Sequence, residues 1–441
     1  AWRKQFAGKD APGAPAEVNK LLKGDPAAAL KDDDAKVLRN YYLQNVCADT
    51  RREFAPLLNE LADLRRQREA IDKAVPSTFV FNDLAKPRDS FVMVRGQYDK
   101  PGDKVEPATP AILHPLKKAS PDGRATRLDL ANWLVAAENP LSARVTVNRF
   151  WQQFFGVGLV KSSGDFGSQG ELPSHPELLD WLAVNFRENR WDVKDLLRLM
   201  LTSQAFRQSS RATAEMFAYD PENRLLARGP RFRLDAEQIR DNALFTSGLI
   251  DFTMGGKGVN PYQPPNIWEP VGFVGSNTRF YKQDTGSALY RRSLYTFLKR
   301  TAPPPFMVNF DGPNREQFCL RRERSNTPLQ ALQLMNDVQH FEAARALAER
   351  MVVDGGATPA ERIAYGYRVI LSRRPTDDET QIVAAELERH LAIYSKDEEA
   401  AKRAIAHGES KPKTKTQPAE LAAYTLVANM LLNLDETLNR N

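Results

Sequence analysis

Residues 357–380 read ATPAERIAYGYRVILSRRPTDDET. Twice in this stretch a threonine is followed three residues later by a glutamate: Thr358 with Glu361, and Thr376 with Glu379. Such a threonine oxygen can take a free N–H of a first helical turn while the carboxylate reaches back to the cap N–H. Pro359 falls just after its cap, where a fixed φ and a missing N–H cost a helix nothing. The spacing predicts helices over 359–371 and 377–394.

The same grammar extends outward in both directions. Ser174 with Glu177, Asp235 with Gln238, and Thr327 with Gln330 repeat the capping pattern, Pro328 again following its cap. Asn139 before Pro140 reads as another cap. Helices are therefore expected near 127–137, 140–154, 175–188, 192–203, 235–249, 328–352 and 418–438. The predicted fold class is mainly α: a large multi-helix globular core with a small β-hairpin element and long ordered loops.

Towards the N-terminus the signals weaken. Residues 1–30, rich in Ala, Gly, Pro and Lys, read as an extended or weakly helical arm. Residues 34–74 read as helical with an interruption at Pro56, which lacks the N–H a helix interior needs. Leu57, Leu61, Leu64 and Ile71 then form an apolar stripe at three- and four-residue spacing, with Arg65, Arg66, Arg68 and Glu69 on the wet face. That stretch is a helical hairpin, a short coiled-coil arm, or a helix packed on its own domain. Thr78–Phe81 and Phe91–Val94 are β-branched and aromatic and read as two short strands. The Gly- and Pro-rich 96–125 reads as an irregular connector. The organisation expected is an N-terminal arm and hairpin over 1–75, strands and connector over 76–125, a helical core over 126–353, and a C-terminal helical region over 354–441. This last region carries a Lys-rich, solvated and mobile insertion at 395–418.

Composition bounds the function classes. The chain has 441 residues, 42% of them hydrophobic, and a formal charge of +6. Lys and Arg are interspersed with Asp and Glu, so nothing in the balance points to nucleic acid. No apolar run reaches the ~20 residues of a membrane helix. The chain opens on Ala1 with no charged-then-apolar leader, which reads as the mature or trimmed product of something longer. Cys47 and Cys319 lie far apart and imply neither a disulfide nor a compartment. No C-x-x-C, C-x-x-C-H, H-E-x-x-H, calcium-loop or G-x-S-x-G pattern occurs. Phe155-Gly156-Val157-Gly158 lacks the third glycine and the strand-to-helix context of a dinucleotide fingerprint. With five histidines, a His-rich metal site is not expected, and no cofactor is assigned to this chain.

Three polar constellations remain. Arg144, Asn148 and Arg149 share a helix, with Asp165 and His175 on the following loop: either a pocket with an acid–base pair or a network locking loop to helix. Arg321, Arg322, Arg324, Asn326 and Thr327 precede the helix at Pro328, where free N–H groups and three guanidinium groups suit an anion. The alternative is that these arginines pair with neighbouring carboxylates. Finally, the Gly/Pro-rich loop 254–290 carries Asn260, Tyr262, Asn266, Trp268 and Glu269, and aromatic faces beside amides suit sugar rings. Tyr262 and Trp268 are the candidate stacking residues; otherwise the aromatics anchor the loop. So many aromatics argue for order in this long segment.

Several long motifs then occur in order: TRLDLANWL from Thr126, NPLSARVTVNRFW from Asn139, Phe155–Val160, Asp165-Phe166-Gly167, SHPELLDWLA from Ser174, RSNTPLQAL from Arg324, and Asn336-Asp337. Together they resemble the planctomycete cytochrome-associated PSD-one family, the domain of unknown function 1553, over roughly 75–440. The resemblance implies an extracytoplasmic location, in the periplasm or at the cell surface, and a place beside cytochrome-c-like regions carrying C-x-x-C-H. Haem would then belong to a partner or an upstream region, because this chain has no such motif. The matching polar positions are Arg144, Asn148, Arg149, Asp165, His175, Arg324, Asn326, Thr327 and Gln330, and the family offers no catalytic role for them. The functional expectation is a non-catalytic scaffold or partner domain in such an assembly, docking a c-type cytochrome domain. The alternative is an enzyme or binding module for sulfated or acidic polysaccharide. Neither nucleic acid nor a membrane span is expected.

Overall fold

The computed structural model describes residues 2–75, 77–82, 84, 86–121 and 123–440. It is 51% helical and 4% strand, a mainly α protein with small antiparallel hairpins. The chain divides into two compact units, residues 1–88 and 89–441.

In the first unit, short helices Trp2–Gln5 and Ala16–Lys23 precede the longer Asp32–Asn45 and Ala48–Ala74. Of the two forms expected for residues 1–30, extended or weakly helical, the structure has the helical one, and it packs. Val18 and Leu22, four apart on one helical face, join Ala11 and Leu38 in a small buried core. Trp2 stacks on Tyr41 there, with ring centroids 5.9 Å apart. Pro56 does not interrupt the helix either, because Ala48–Ala74 runs through it. The carbonyl it leaves without a partner belongs to Arg52, and both residues are exposed, so water can satisfy it. The turn falls earlier, at Val46 and Cys47, whose N–H groups both reach the Tyr42 carbonyl at 2.9 Å.

In the second unit, Ser90–Met93 pairs antiparallel with Pro101–Val105. The expected strand at 78–81 does not form, and residues 77–82 lie outside this pairing. The hairpin closes instead through Arg95 and Gly96, both at positive φ. Helices Arg127–Leu134, Ser142–Phe155, Pro176–Glu188 and Val193–Thr202 follow. The last three bury Val147, Trp151, Phe155, Leu179, Leu182, Phe186, Leu196 and Met200 in one cluster. A second, larger cluster joins helices Ala236–Ser247, Val338–Asp354, Pro359–Leu371, Asp377–Tyr394 and Pro418–Leu432. Its interface is rich in alanine (Ala343, Ala344, Ala348, Ala423 and Ala428), so helices 338–354 and 418–432 can approach closely. Phe232–Arg233 pairs with Asn439–Arg440 and ties the end of the chain to the start of helix 236–247.

Four of the five expected capping boxes form, at Thr358, Thr376, Asp235 and Thr327. At Ser174 the cap position is taken by His175, one residue on, without a side-chain bond. Ser174 turns back to the Leu159 carbonyl instead. The expected helix 328–352 is two helices, Pro328–Asn336 and Val338–Asp354, because Asp337 leaves helical geometry and caps the second through the His340 N–H at 3.0 Å. The helix expected over 418–438 likewise ends at Leu432.

The Lys-rich 395–418 departs from its reading as a solvated insertion. Glu398–Ile405 is a helix with Ala401 fully buried. Ser410 donates its N–H and its hydroxyl to buried Glu342, at 2.7 and 2.6 Å. Buried Arg345 donates to the Ser410 carbonyl at 2.8 Å. Lys396, Lys402, Lys411, Lys413 and Lys415 stay exposed, so their composition reports the wet face only.

Candidate functional site

The second unit holds an open cleft of about 1310 Å³ that collects five separate stretches of chain. Its first wall is the loop after helix 142–155. Gly156 ends that helix at φ 81°. The buried Asn148 amide then clamps the loop, donating to the Val160 carbonyl and accepting from the Val160 N–H, each at 2.9 Å. A Cβ on Gly158 would lie 2.6 Å from this amide, so the close approach requires glycine. The pinned loop presents Lys161, which pairs with Glu222 at 2.9 Å.

The second wall is 210–232, organised by Asp220, which accepts the N–H groups of Arg224 and Leu225 at 2.9 and 2.8 Å. Burial pushes the Asp220 carboxyl up, but these donors outweigh it and hold the group below its ordinary range. Arg228 is only 7% exposed. Its Nη2 donates to the Asp220 and Pro221 carbonyls, both at 2.9 Å. Its Nη1 is buried at the cleft without a hydrogen-bond partner among the described residues.

The remaining walls are Arg324 and the segments 373–379 and 434–436. Arg324 lies over the Phe232 ring at 4.4 Å, with Asp235 at 3.7 Å. Arg373 bridges two carboxylates, reaching Glu379 at 2.7 Å and Glu436 at 2.6 Å. The Arg373 bond holds Glu379 down at about 2, while Arg373 itself is held above its ordinary value by the same bonds. Arg231 pairs with Asp435.

Lys161, Arg211, Arg228, Arg231, Arg324, Arg373 and Arg374 thus face Glu222, Glu379, Asp435 and Glu436 across one cleft, seven cations against four anions. All four carboxylates are engaged by cleft cations. Arg211 and Arg374 are exposed and have no ion-pair partner among the described residues. Exposed Phe217, with the Arg228 guanidinium 5.2 Å from its centroid, adds an aromatic face to the rim. The arrangement can receive an extended anion: ion-paired groups set the geometry and the surplus arginines supply the attraction.

The residues expected from sequence lie in several places. Arg144 bonds Asp180 at 2.6 Å, not Asp165. Asp165 is exposed and accepts from the Gly167 N–H at 2.8 Å. His175 is half-buried beside Ser174, 3.1 Å from its hydroxyl, and Arg149 is exposed. These do not converge. Of the second constellation, Arg324 alone lines the cleft. Arg322 makes a two-pronged pair with Glu237, at 2.9 and 3.2 Å. Arg321 is exposed, Asn326 accepts from Arg233 at 2.9 Å, and Thr327 caps its helix. In the third, Trp268 is 4% exposed and packs against Tyr281 and Phe297, so its faces are covered by protein. The Tyr262 hydroxyl accepts the Glu409 N–H at 2.7 Å. The loop is held from behind by buried Arg240, which donates to Gln339, Ser293 and the Leu289 and Arg291 carbonyls. Burial pulls the Arg240 guanidinium down to about 10.

Sequence reading missed Lys161, Arg211, Arg228, Arg231, Arg373 and Arg374. The local signals were Arg228-Gly229-Pro230-Arg231 and Arg373-Arg374, the latter pair ending two residues before the Thr376 cap. The others become neighbours only through folding. Among the described residues, no three of His, Cys, Asp and Glu are grouped to hold a metal ion. Both cysteines are free thiols.

A mainly α chain with an arginine-lined cleft and ordered motifs over its middle defines the class. Residues 126–387 match PSD1, described as a protein of unknown function (DUF1553), and the chain belongs to this family. No curated protein and no solved structure matches it.

Proposed function

We propose that this chain is a binding module for an extended acidic or sulfated polysaccharide, held in the arginine-lined cleft. The observation that carries the reading is the surplus of cations in a cleft large enough for several sugar rings, where Arg211 and Arg374 stand exposed without an ion-pair partner among the described residues. Guanidinium groups bind sulfate and carboxylate by paired donors, and the Phe217 face suits a pyranose ring. The test is calorimetric titration of the full chain with dextran sulfate and polygalacturonate, against neutral dextran and a DNA duplex of matched charge. Binding to the acidic glycans, weakened about tenfold (~1.4 kcal/mol) by Arg211→Ala with Arg374→Ala, is the expected result. No binding at low salt, or equal affinity in the double variant, sinks the reading.

A partner-domain role, docking a c-type cytochrome domain in an extracytoplasmic assembly, is the second reading. Exposed Phe273, Val274 and Phe280 in the 254–290 loop support it, because grouped exposed apolar side chains mark interaction surfaces. Titrating a c-type cytochrome against the chain and its Phe273→Ser variant checks it, and absence of any complex removes it. No membrane-crossing helix is present among the described residues.

A further inference from the structure

The helix Ala48–Ala74 is the longest in the chain and buries none of its 27 residues. At about 1.5 Å per residue it is roughly 40 Å long. Its first half packs with helix 32–45, leaving Phe54 and Leu58 half-buried. Every residue from 59 to 75 is exposed. Most of a helix's stability in a protein comes from packing an apolar face, and residues 59–74 of this helix pack none.

The exposed side chains have the spacing of such a face. Phe54, Leu61, Arg68 and Val75 recur every seven residues, and Leu57, Leu64 and Ile71 fall between them at the same interval. This is the two-position seam of a coiled coil. Leu57, Leu61, Leu64 and Ile71 are 61%, 43%, 53% and 64% exposed, so the seam stands open. Outside it, Asp63–Arg66 and Glu69–Lys73 ion pairs support the helix itself, and the seam's Arg68 pairs with Asp72 on its flank.

We infer that this helix is a self-association arm, pairing antiparallel with the same helix of a second copy of the chain. Charge decides both occupant and direction. In a parallel pair Glu60 would meet Arg65 favourably, but Arg68 would face Arg68 of the other copy inside the seam. Two guanidinium groups in a desolvated layer repel. In the antiparallel register that sets Leu61 against Leu64, Arg68 lies opposite Leu57 and within reach of Glu53 and Glu60. The flanks then place Asp72 beside Arg51 of the other copy, twice by symmetry, and no like charges meet in the seam. The inference goes beyond the cleft, which lies wholly in the other unit, so each can fail alone.

The test uses the full chain in a Cys47→Ser, Cys319→Ser background. Light scattering is expected to give about twice the 49.7 kDa chain mass, falling to the single-chain mass in Leu64→Glu with Ile71→Glu. Both side chains are exposed, so the variant should remain folded, losing at most the far-UV signal of this one helix. Oxidation of mixed Leu61→Cys and Leu64→Cys chains should yield a crosslinked heterodimer, while Leu64→Cys alone should not crosslink. A single-chain mass at every concentration overturns the inference, as does a dimer indifferent to the glutamates. Efficient Leu64→Cys self-crosslinking overturns the antiparallel register.

Discussion

Asn148 meets both backbone groups of Val160, donating from Nδ2 to the carbonyl and accepting the N–H at Oδ1, a pairing that uses the two separate ends of its amide. Asn148→Ala leaves a buried N–H and a buried C=O without partners, at about 1–3 kcal/mol each. The expected outcome is a destabilisation of roughly 2–4 kcal/mol in urea unfolding, with a loosened 156–161 loop; an unchanged midpoint would show that the clamp is dispensable. Glu379 makes a different prediction. Its carboxyl titrates near 2 in the folded chain against an ordinary 4.5, chiefly through Arg373. A depressed carboxyl stabilises the fold fully above its unfolded value, and that contribution is lost as pH falls from about 4.5 through about 2. Melting temperatures measured from pH 6 downward should therefore fall less steeply below pH 4.5 in Glu379→Gln than in the parent, and parallel curves would contradict the assignment.

Elements end where a side chain competes for their backbone. Asp337 has the residue type of a cap, yet the apolar pattern on either side of it reads as one continuous helix; the structure breaks there because its carboxylate takes the His340 N–H. The segment after helix 398–405 is fixed by a different device. Gly408 has φ +85°, and a Cβ on it would lie 2.2 Å from the Glu342 carboxyl carbon. Glu342 is fully buried and holds Ser410 and the Tyr290 hydroxyl. Gly408→Ala should force the loop off Glu342, leave a buried carboxylate short of donors, and cost about 2 kcal/mol or more. Hydrogen exchange over 406–413 reports this directly, and unaltered protection would count against the packing described.

At the scale of the molecule, the cleft exists because helices distant in sequence bring Lys161, Arg228, Arg324 and Arg374 to one opening. A polyanion bound there should release counterions, and removing Arg211 and Arg374 should flatten the dependence of log affinity on log salt by about 0.7–0.9 per residue. Titrations at several salt concentrations measure that slope; an unchanged slope would place the anion elsewhere. Helix positions were legible from local chemistry, since caps such as Thr358 with Glu361 and stripes such as Leu179, Leu182 and Phe186 act within one or two turns. The same holds for the family, whose motifs are runs of adjacent residues. Locality also explains the failures: Pro56 and 78–81 obeyed no local rule, because solvent exposure decided the first and the choice of strand partner the second. Which cleft cations are bound by carboxylates and which are left over depends largely on distant neighbours, as in Lys161 with Glu222, Arg231 with Asp435 and Arg373 with Glu436. Burial of Trp268 and exposure of Phe273 were settled likewise, by what packs against the loop. The sequence by itself therefore determined most helices of the core, four of the five expected capping boxes and the family. The tertiary structure alone decided the site, because charge pairing and burial are properties of residues brought together across the chain.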